Sequence, residues 1–465
     1  MKKEESFSLE KGEANQELDD DGKPTRTGTW LSASAHIITA VVGSGVLSLT
    51  WCLAQLGWVV GTSFLVVFAA ISWFTCILLT DCYRSHVTGS RNYNYMQAVK
   101  TNLGGRKYKL CGIAQYGTLV GVSIGYTITS SISMAAIKRS NCFYKYGHDK
   151  ECHTLNTPYM LIFAFIEIIM SQIPDFHKLS FISIIATIMS FAYSSIGIGL
   201  SIAKIAGGAY PRTSIGLPTR TDISNMDKMW NIFCAIGDMA FAYSFCAVLI
   251  EIQDTLKSSP PENKVMKTAT TIGISATTSF YMLCGLLGYA AFGNDAPGNY
   301  LTGFGYYDPF WLVDIGNLCI VIHLLGAYQV MVQPFFAFVE NWSHRKWPES
   351  GIVNKDYTVG CFRINSFRLV WRSTYVILAT LVAMIFPFFN EFLALIGSMT
   401  FWPLTVYFPI EMYISQVKLR RNSFTWIWLK ALSFVCLLVS LLAAVGSIRG
   451  LVVSVETFKV FRSMS

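Results

Sequence analysis

Apolar runs near the length that crosses a bilayer recur from Trp30 to Ile448, separated by short polar intervals. Eleven are read: Trp30–Leu56, Val59–Cys82, Leu110–Ala136, Tyr159–Ile173, Leu179–Ala206, Met229–Ile252, Thr268–Phe292, Pro309–Val339, Phe367–Phe389, Phe392–Ile414 and Phe424–Ile448. The fourth is short, bounded by Pro158 and Pro174, and the eighth is long, with Pro334 near its end. The pattern predicts an all-α polytopic membrane protein, because backbone in hydrocarbon must satisfy its own hydrogen bonds. Between the second and third runs, Tyr95, Met96, Val99 and Leu103 recur at helical spacing against Asn92, Asn94, Gln97, Lys100 and Asn102. That spacing predicts an amphipathic helix along the cytoplasmic interface, with a structural role.

Composition agrees with the pattern. Of 465 residues, 52% are hydrophobic and only 14% charged, where a soluble chain carries about 25% charged. The first 27 residues differ: Glu4, Glu5, Glu10, Glu13, Glu17 and Asp19 to Asp21 outnumber the basic residues, with Phe7 the one aromatic. They read as a disordered, acidic cytoplasmic tail, and 28–465 as one eleven-span membrane domain. The tail is not a signal peptide, since the first apolar run starts too late and is too long.

Lysines and arginines set the orientation. They are dense from Arg84 to Lys109, Arg345 to Arg372 and Lys418 to Arg421, and missing from Gly293 to Asp308 and from Pro387 to Glu391. The positive-inside rule then places the N-terminus in the cytoplasm and, after an odd number of spans, the C-terminus outside. This bias accounts for the net charge of +8 and calls for no nucleic-acid partner. The sequon Asn341-Trp342-Ser343 falls inside, beyond the reach of glycosylation.

Of the twelve cysteines, Cys76, Cys234, Cys246, Cys284, Cys319 and Cys436 lie in or at the ends of spans and read as small packing residues. Cys142 and Cys152, ten residues apart in one predicted outer loop, are expected to form a disulfide.

Two spans carry interruptions. The first reads Val42-Gly43-Ser44-Gly45-Val46 at mid-membrane depth. Two glycines around a serine propagate a helix poorly, and the N–H groups they free form a positively polarised end that suits a carboxylate. The same small residues also permit close helix packing. The sixth reads Ala235-Ile236-Gly237-Asp238-Met239-Ala240-Phe241-Ala242-Tyr243-Ser244, which combines a glycine, an intramembrane acid and a hydroxyl. If the first ten spans are two repeats of five, the two interruptions hold corresponding positions, the sequence pointer to a transporter's midplane site.

Gly43-Ser44-Gly45-Val46-Leu47-Ser48-Leu49 with Ala54-Gln55-Leu56-Gly57-Trp58 resembles the first-span motif of the amino acid/auxin permease family. The plant amino acid permease branch of that family, within the APC superfamily, fits nearly all of the chain after the tail. Supporting stretches include Ser34-Ala35-His36-Ile37-Ile38-Thr39-Ala40, Ile250-Glu251-Ile252-Gln253-Asp254-Thr255, Gly288-Tyr289-Ala290-Ala291-Phe292-Gly293 and Phe401-Trp402-Pro403-Leu404-Thr405-Val406-Tyr407. The resemblance implies the LeuT-type 5+5 inverted repeat, here with broken spans 1 and 6 plus an eleventh span. It also implies proton-coupled import of amino acids, over a broad neutral and acidic range, at the plasma membrane. One departure is Thr50, where the branch has alanine and the wider family often proline; it bears on how the outer half-helix bends.

An amino acid zwitterion needs donors for its carboxylate and acceptors for its ammonium. Val42, Gly43, Ser44 and Gly45 are expected to hold the carboxylate, and carbonyls from Ala240 through Phe241 and Ala242 to Tyr243 the ammonium, with Phe241 and Tyr243 walling the side-chain pocket. By analogy with the fold, Tyr126 is a candidate for the carboxylate as well as an ordinary buried tyrosine. Proton coupling needs a titratable intramembrane group, and the candidates are His36, Asp238 and His323. His36 precedes Gly43 by seven residues, two helical turns or about 10 Å along one face. Glu167 lies midway along the short fourth span and must have a partner. Asp314, Glu391 and Glu411 stand close enough to span ends to reach water, and Asp81 and Arg84 read as an interfacial pair.

No HExxH motif, nucleophile elbow or nucleotide loop occurs, so an enzyme is not expected; neither is a metal or a cofactor other than the coupling proton. The partners expected are an amino acid, protons and the lipid bilayer, and no pattern sets an oligomeric state. The same pocket would also serve an amino acid receptor or sensor that transports little.

Overall fold

Thr29 starts the first helix. Its hydroxyl accepts the Ser32 N–H while the Thr29 N–H donates to the Ser32 hydroxyl, and α1 (Trp30–Val41) follows this capping box. The computed structural model describes residues 25–147, 149, 151–172, 180–208, 211–218, 223–304, 309–354, 356–359 and 362–457; most of the acidic tail lies outside them. After a gap at Val42–Ser44 the chain continues as α2 (Gly45–Asp81), α3 (Tyr95–Leu103), α4 (Gly105–Tyr146), α5 (Thr157–Met170), α6 (Ser180–Ala206) and α7 (Asn225–Ala242). It then forms α8 (Leu249–Gln253), α9 (Glu262–Phe292), α10 (Phe310–Lys346), α11 (Gly351–Asn354), α12 (Ser366–Ile385), α13 (Phe389–Thr400), α14 (Phe408–Val417) and α15 (Phe424–Thr457).

Among the described residues, nine helical segments are long and apolar enough to cross a membrane, and α1 and α5 are apolar but shorter. The all-α expectation needs one amendment. Strands β1 (Asp356–Val359) and β2 (Phe362–Asn365) form an antiparallel hairpin between α11 and α12, with Asp356 opposite Asn365.

The first and second runs meet where the hydropathy reading separates them: α2 is two helical legs, Gly45–Leu56 and Trp58–Asp81, joined across a non-helical Gly57. Gly57 has φ 76°, and a Cβ there would collide with the Gly216 carbonyl carbon at 2.8 Å, so both conformation and space require glycine. The fold leaves the Trp58 and Val59 N–H groups without helical acceptors, and the carbonyls of Ser214 and Ile215 take them at 2.9 Å each. Helix α4 outlasts its apolar run, so Cys142 sits in its last turns rather than in a loop. Helix α10 likewise continues to Lys346, through Pro334 and the sequon, because helical hydrogen bonding does not stop where hydrophobicity does.

The centre of the molecule is built by α2 against α9 and α7, by α10 against α4 and α6, and by α13 against α7. Small residues set these approaches. Gly237 of α7 lies under the Ala394 carbonyl of α13, leaving a Cβ only 2.6 Å from that oxygen. Thr50 is fully buried in regular α2 helix; its hydroxyl donates to the Cys284 carbonyl of α9 at 3.3 Å, and Gly288 makes room for it. The departure at Thr50 is therefore a packing feature on α9, with no bend associated. Between α13 and α14 the stretch Phe401–Tyr407 is wound as a π-helix around Pro403.

Candidate functional site

The first interruption is capped by two tyrosines. The Gly43 N–H folds back to the Val41 carbonyl at 2.9 Å. The Tyr281 hydroxyl of α9 donates to the same Val41 carbonyl at 2.5 Å and lies 3.2 Å from the Ala242 carbonyl at the end of α7. The Tyr193 hydroxyl of α6 donates to the Gly43 carbonyl at 2.9 Å. Carbonyls freed by unwinding are thus satisfied by side chains from neighbouring helices. The N–H groups of Ser44 and Gly45 meet no protein acceptor, and the buried Ser44 Oγ has no partner. Two free N–H groups and a hydroxyl at the start of the Gly45–Leu56 leg of α2 have the polarity that suits an anion.

The second interruption lies beside the first. Helix α7 ends at Ala242, and the chain passes through Tyr243–Phe245 and a 3-10 turn at Cys246–Val248 into α8. A Cβ on Gly45 would stand 3.1 Å from Ala242 Cα and 3.4 Å from Phe241 Cδ1. The acceptor set is smaller than the sequence led one to expect. The Ala240 and Phe241 carbonyls take the Ser244 hydroxyl and N–H at 2.6 and 3.1 Å, Ala242 faces Tyr281, and the Tyr243 carbonyl takes the Ser72 hydroxyl at 3.2 Å. The Phe241 carbonyl also takes the Tyr243 N–H and is fully used, while Ala240, Ala242 and Tyr243 each keep one lone pair for an incoming cation. Tyr243 itself is fully buried, with its ring edge-on to Tyr281 at 5.4 Å and its hydroxyl on Thr278. It belongs to the α9 contact, and the wall position falls to Phe241, which keeps exposed surface. Tyr126 of α4 is 6% exposed, near Tyr193 and Tyr281, and its hydroxyl has no protein partner.

His323 of α10 reaches this place. Its Nδ1 lies 2.7 Å from the Ala186 carbonyl, which can only accept, so Nδ1 carries the hydrogen and Nε2 is the bare nitrogen. Nε2 has no partner and stands 3.7 Å from the position of a Cβ on Gly43. The Tyr193 ring packs edge-on to the imidazole at 5.8 Å. Asp238 is fully buried one turn above the end of α7; its Oδ2 faces Cys52 Sγ at 3.8 Å and its Oδ1 has no partner. His36 is not brought in. It lies on the exposed face of α1, and since that helix ends at Val41, two-turn periodicity does not carry from His36 to Gly43.

The remaining candidates also find places. Cys142 and Cys152 are disulfide-bonded, with Cα atoms 6.0 Å apart. Cys76 and Cys246 are bonded too, which replaces the packing role read for them; α2 and the turn after α7 bring together residues 170 apart in the chain. Asp81 takes Lys267 and Asn263 of α9 at 2.7 and 3.0 Å, while Arg84 takes Glu262 at 2.6 Å, so the Asp81–Arg84 pair is not formed. Glu411 is not left to water: Lys107 and Lys430 both bind it.

Glu262, at the start of α9, centres a separate charged cluster. It holds Arg84 and also Arg26, at 3.0 Å, while Arg26 and Asp254 share the Tyr83 hydroxyl. Burial, followed by the Asp254 carboxylate, pushes the Tyr83 phenol well above its usual range. Gly28 exchanges backbone bonds with Thr255 and Lys257 at 3.0 and 3.1 Å, strapping the segment before α1 to the chain after α8. Sequence reasoning missed this strap, as it missed Tyr193 and Tyr281, because partners more than 100 residues apart leave no local signature. A separate cavity of about 450 Å³ lies between the end of α4 and the start of α13, lined in part by Arg139, Asn299, Asn390 and Glu391.

The family described as transmembrane amino acid transporter protein matches residues 26–453. Amino acid permease 6 of Arabidopsis thaliana is 59% identical over 471 residues, covering 99% of this chain and 98% of that protein. Amino acid permease 1 of the same plant is 58% identical over 455 residues, covering 96% and 94%. Among solved structures, MhsT in complex with L-phenylalanine matches with TM-score 0.56 at 12% identity, over 91% of this chain and 99% of that one. At that identity the likeness is one of fold.

Proposed function

The chain belongs to the transmembrane amino acid transporter family, and on that premise we propose that it is a proton-coupled amino acid symporter working by alternating access. In this reading the fold is the LeuT-type 5+5 inverted repeat. Span 1 consists of α1 and the first part of α2, span 6 of α7 and α8, and α15 is the eleventh span. The N-terminus faces the cytoplasm, the C-terminus the outside, and the membrane is the plasma membrane.

One observation carries the substrate site: the unpartnered Ser44 and Gly45 N–H groups and Ser44 hydroxyl open beside the end of α7. They bind the carboxylate of an amino acid, with Tyr126 as a further donor. The ammonium takes the spare lone pairs of the Ala240, Ala242 and Tyr243 carbonyls, and Phe241 bounds the side chain. A pocket that recognises only these backbone-like groups accepts many neutral and acidic amino acids. For the proton, His323 Nε2 stands at the first interruption, where a charge gained or lost acts directly on the carboxylate. Asp238 is the second candidate, since a buried carboxyl with one thiol partner is carried neutral at lower cost than charged. His36 is set aside by its position on the outer face of α1.

A pH-gradient uptake screen of the twenty amino acids and auxin in proteoliposomes tests the reading. Acid-stimulated, electrogenic uptake is expected. Uptake indifferent to the gradient removes proton coupling, and saturable binding without flux identifies a receptor.

A further inference from the structure

Glu167 belongs to none of the machinery described so far. It lies on α5, fully buried, and the amide of Gln329 on α10 donates to its Oε2 at 2.5 Å. The same amide nitrogen lies 3.0 Å from the Ser171 hydroxyl, one turn along α5. Glu167 Oε1, Gln329 Oε1 and the Tyr328 hydroxyl are all buried and have no partner. Phe163 and Tyr328 pack edge-on at 5.8 Å, which puts the Tyr328 ring on the same stretch of α5. An acid held this way, with neutral neighbours and one oxygen unused, is expensive inside a membrane unless it serves a purpose.

The surroundings give a direction. From α12, Arg372 donates to the Ser171 carbonyl at 2.6 Å and is itself bound by Glu340 of α10. Tyr375 of α12 shares a hydrogen bond with Ser123 of α4 at 2.7 Å. Among the described residues, Tyr328 on α10 interacts with Glu167, Tyr375 on α12 with Tyr328, and Glu340 on α10 and Arg372 on α12 meet at Ser171. Arg372 is matched by Glu340, and no cation among the described residues is paired with Glu167. Along α10, Gln329 is six residues beyond His323, about 9 Å of helix. In the orientation proposed above, Ser171, Glu340 and Arg372 lie on the cytoplasmic side of Gln329.

We propose that Glu167 is a proton-release site between the substrate level of α10 and the cytoplasm. Its Oε1 takes one proton as the carrier turns inward and gives that proton to cytoplasmic water past Ser171 and the Glu340–Arg372 pair. The Gln329 amide stays on Oε2 throughout and supports the ionised state. This assignment rests on the proton-symport reading.

The test is Glu167→Gln in proteoliposomes, which keeps size and polarity but cannot release a proton. Two fluxes are compared with the wild type: net uptake driven by a pH gradient, and exchange of labelled for unlabelled amino acid at equal pH, which needs no proton release. Net uptake is expected to fall at least about tenfold while exchange stays within about twofold, and Glu167→Asp is expected to restore part of the net flux. Wild-type net uptake in Glu167→Gln overturns the assignment. Equal loss of both fluxes, in protein that still elutes as one species, also overturns it, since Glu167 would then support folding or binding alone. Wild-type protein without gradient-driven uptake removes the symport reading itself, a result distinct from either.

Discussion

Gly45 and Ala242 meet where the two interrupted spans touch: a Cβ added to Gly45 would stand 3.1 Å from Ala242 Cα and 3.2 Å from Ala242 Cβ. The free N–H groups of one interruption therefore open directly onto the end of the other. Gly45→Val drives two further methyls into that contact. Overpacking of this kind costs about 1–3 kcal/mol, so amino acid affinity is expected to fall roughly 10- to 100-fold. The protein should still insert and elute as one species, and a binding assay on purified protein decides; unchanged affinity moves the site elsewhere.

Tyr281→Phe removes the hydroxyl that faces both Val41 and Ala242. The buried Val41 carbonyl then loses its side-chain donor, at a cost of about 1–3 kcal/mol. Thermal unfolding in detergent should show that loss, and added amino acid should protect the variant less than the wild type. Equal protection would mean that the tyrosine braces the fold and has no bearing on the site.

His323 is predicted to link uptake to external pH. Both His323→Ala and His323→Gln should flatten the acid stimulation of uptake, because each removes the bare Nε2 at the first interruption. The glutamine variant can still donate to the Ala186 carbonyl and separates loss of the proton site from loss of that hydrogen bond. A wild-type pH profile in both would clear His323 and leave Asp238.

Glu262→Gln leaves two arginines with a neutral partner. Breaking a buried charge pair costs about 3–5 kcal/mol, and the strap at Gly28 should loosen. Hydrogen exchange reads this directly, because the Gly28 and Lys257 N–H groups are bonded across the strap. Their protection is expected to drop at least about tenfold. Protection that persists would show that the backbone bonds hold without the Arg26–Glu262–Arg84 cluster.

The membrane class and the place of the first interruption were legible in the sequence because both depend on local composition. Gly43, Ser44 and Gly45 are poor helix formers wherever they occur, and the helix does stop there. The second interruption was read within Ala235–Ser244, with free carbonyls from Ala240 to Tyr243, and the helix does stop at Ala242, after running unbroken through Gly237. The glycine is there to admit the Ala394 carbonyl of α13, a contact more than 150 residues distant in sequence. His36 stands apart from Gly43 because α1 ends at Val41, and helical periodicity does not run past that point. The tyrosine caps were hidden, since nothing near Tyr193 or Tyr281 distinguishes them from the other tyrosines until α6 and α9 are set against the first interruption.

The fold at Gly57 has a consequence for what holds α2 in shape. Its two legs, Gly45–Leu56 and Trp58–Asp81, meet at an elbow where the Trp58 and Val59 N–H groups leave the helix for the Ser214 and Ile215 carbonyls. The bearing of one leg on the other is therefore set from outside, by a segment more than 150 residues further along the chain.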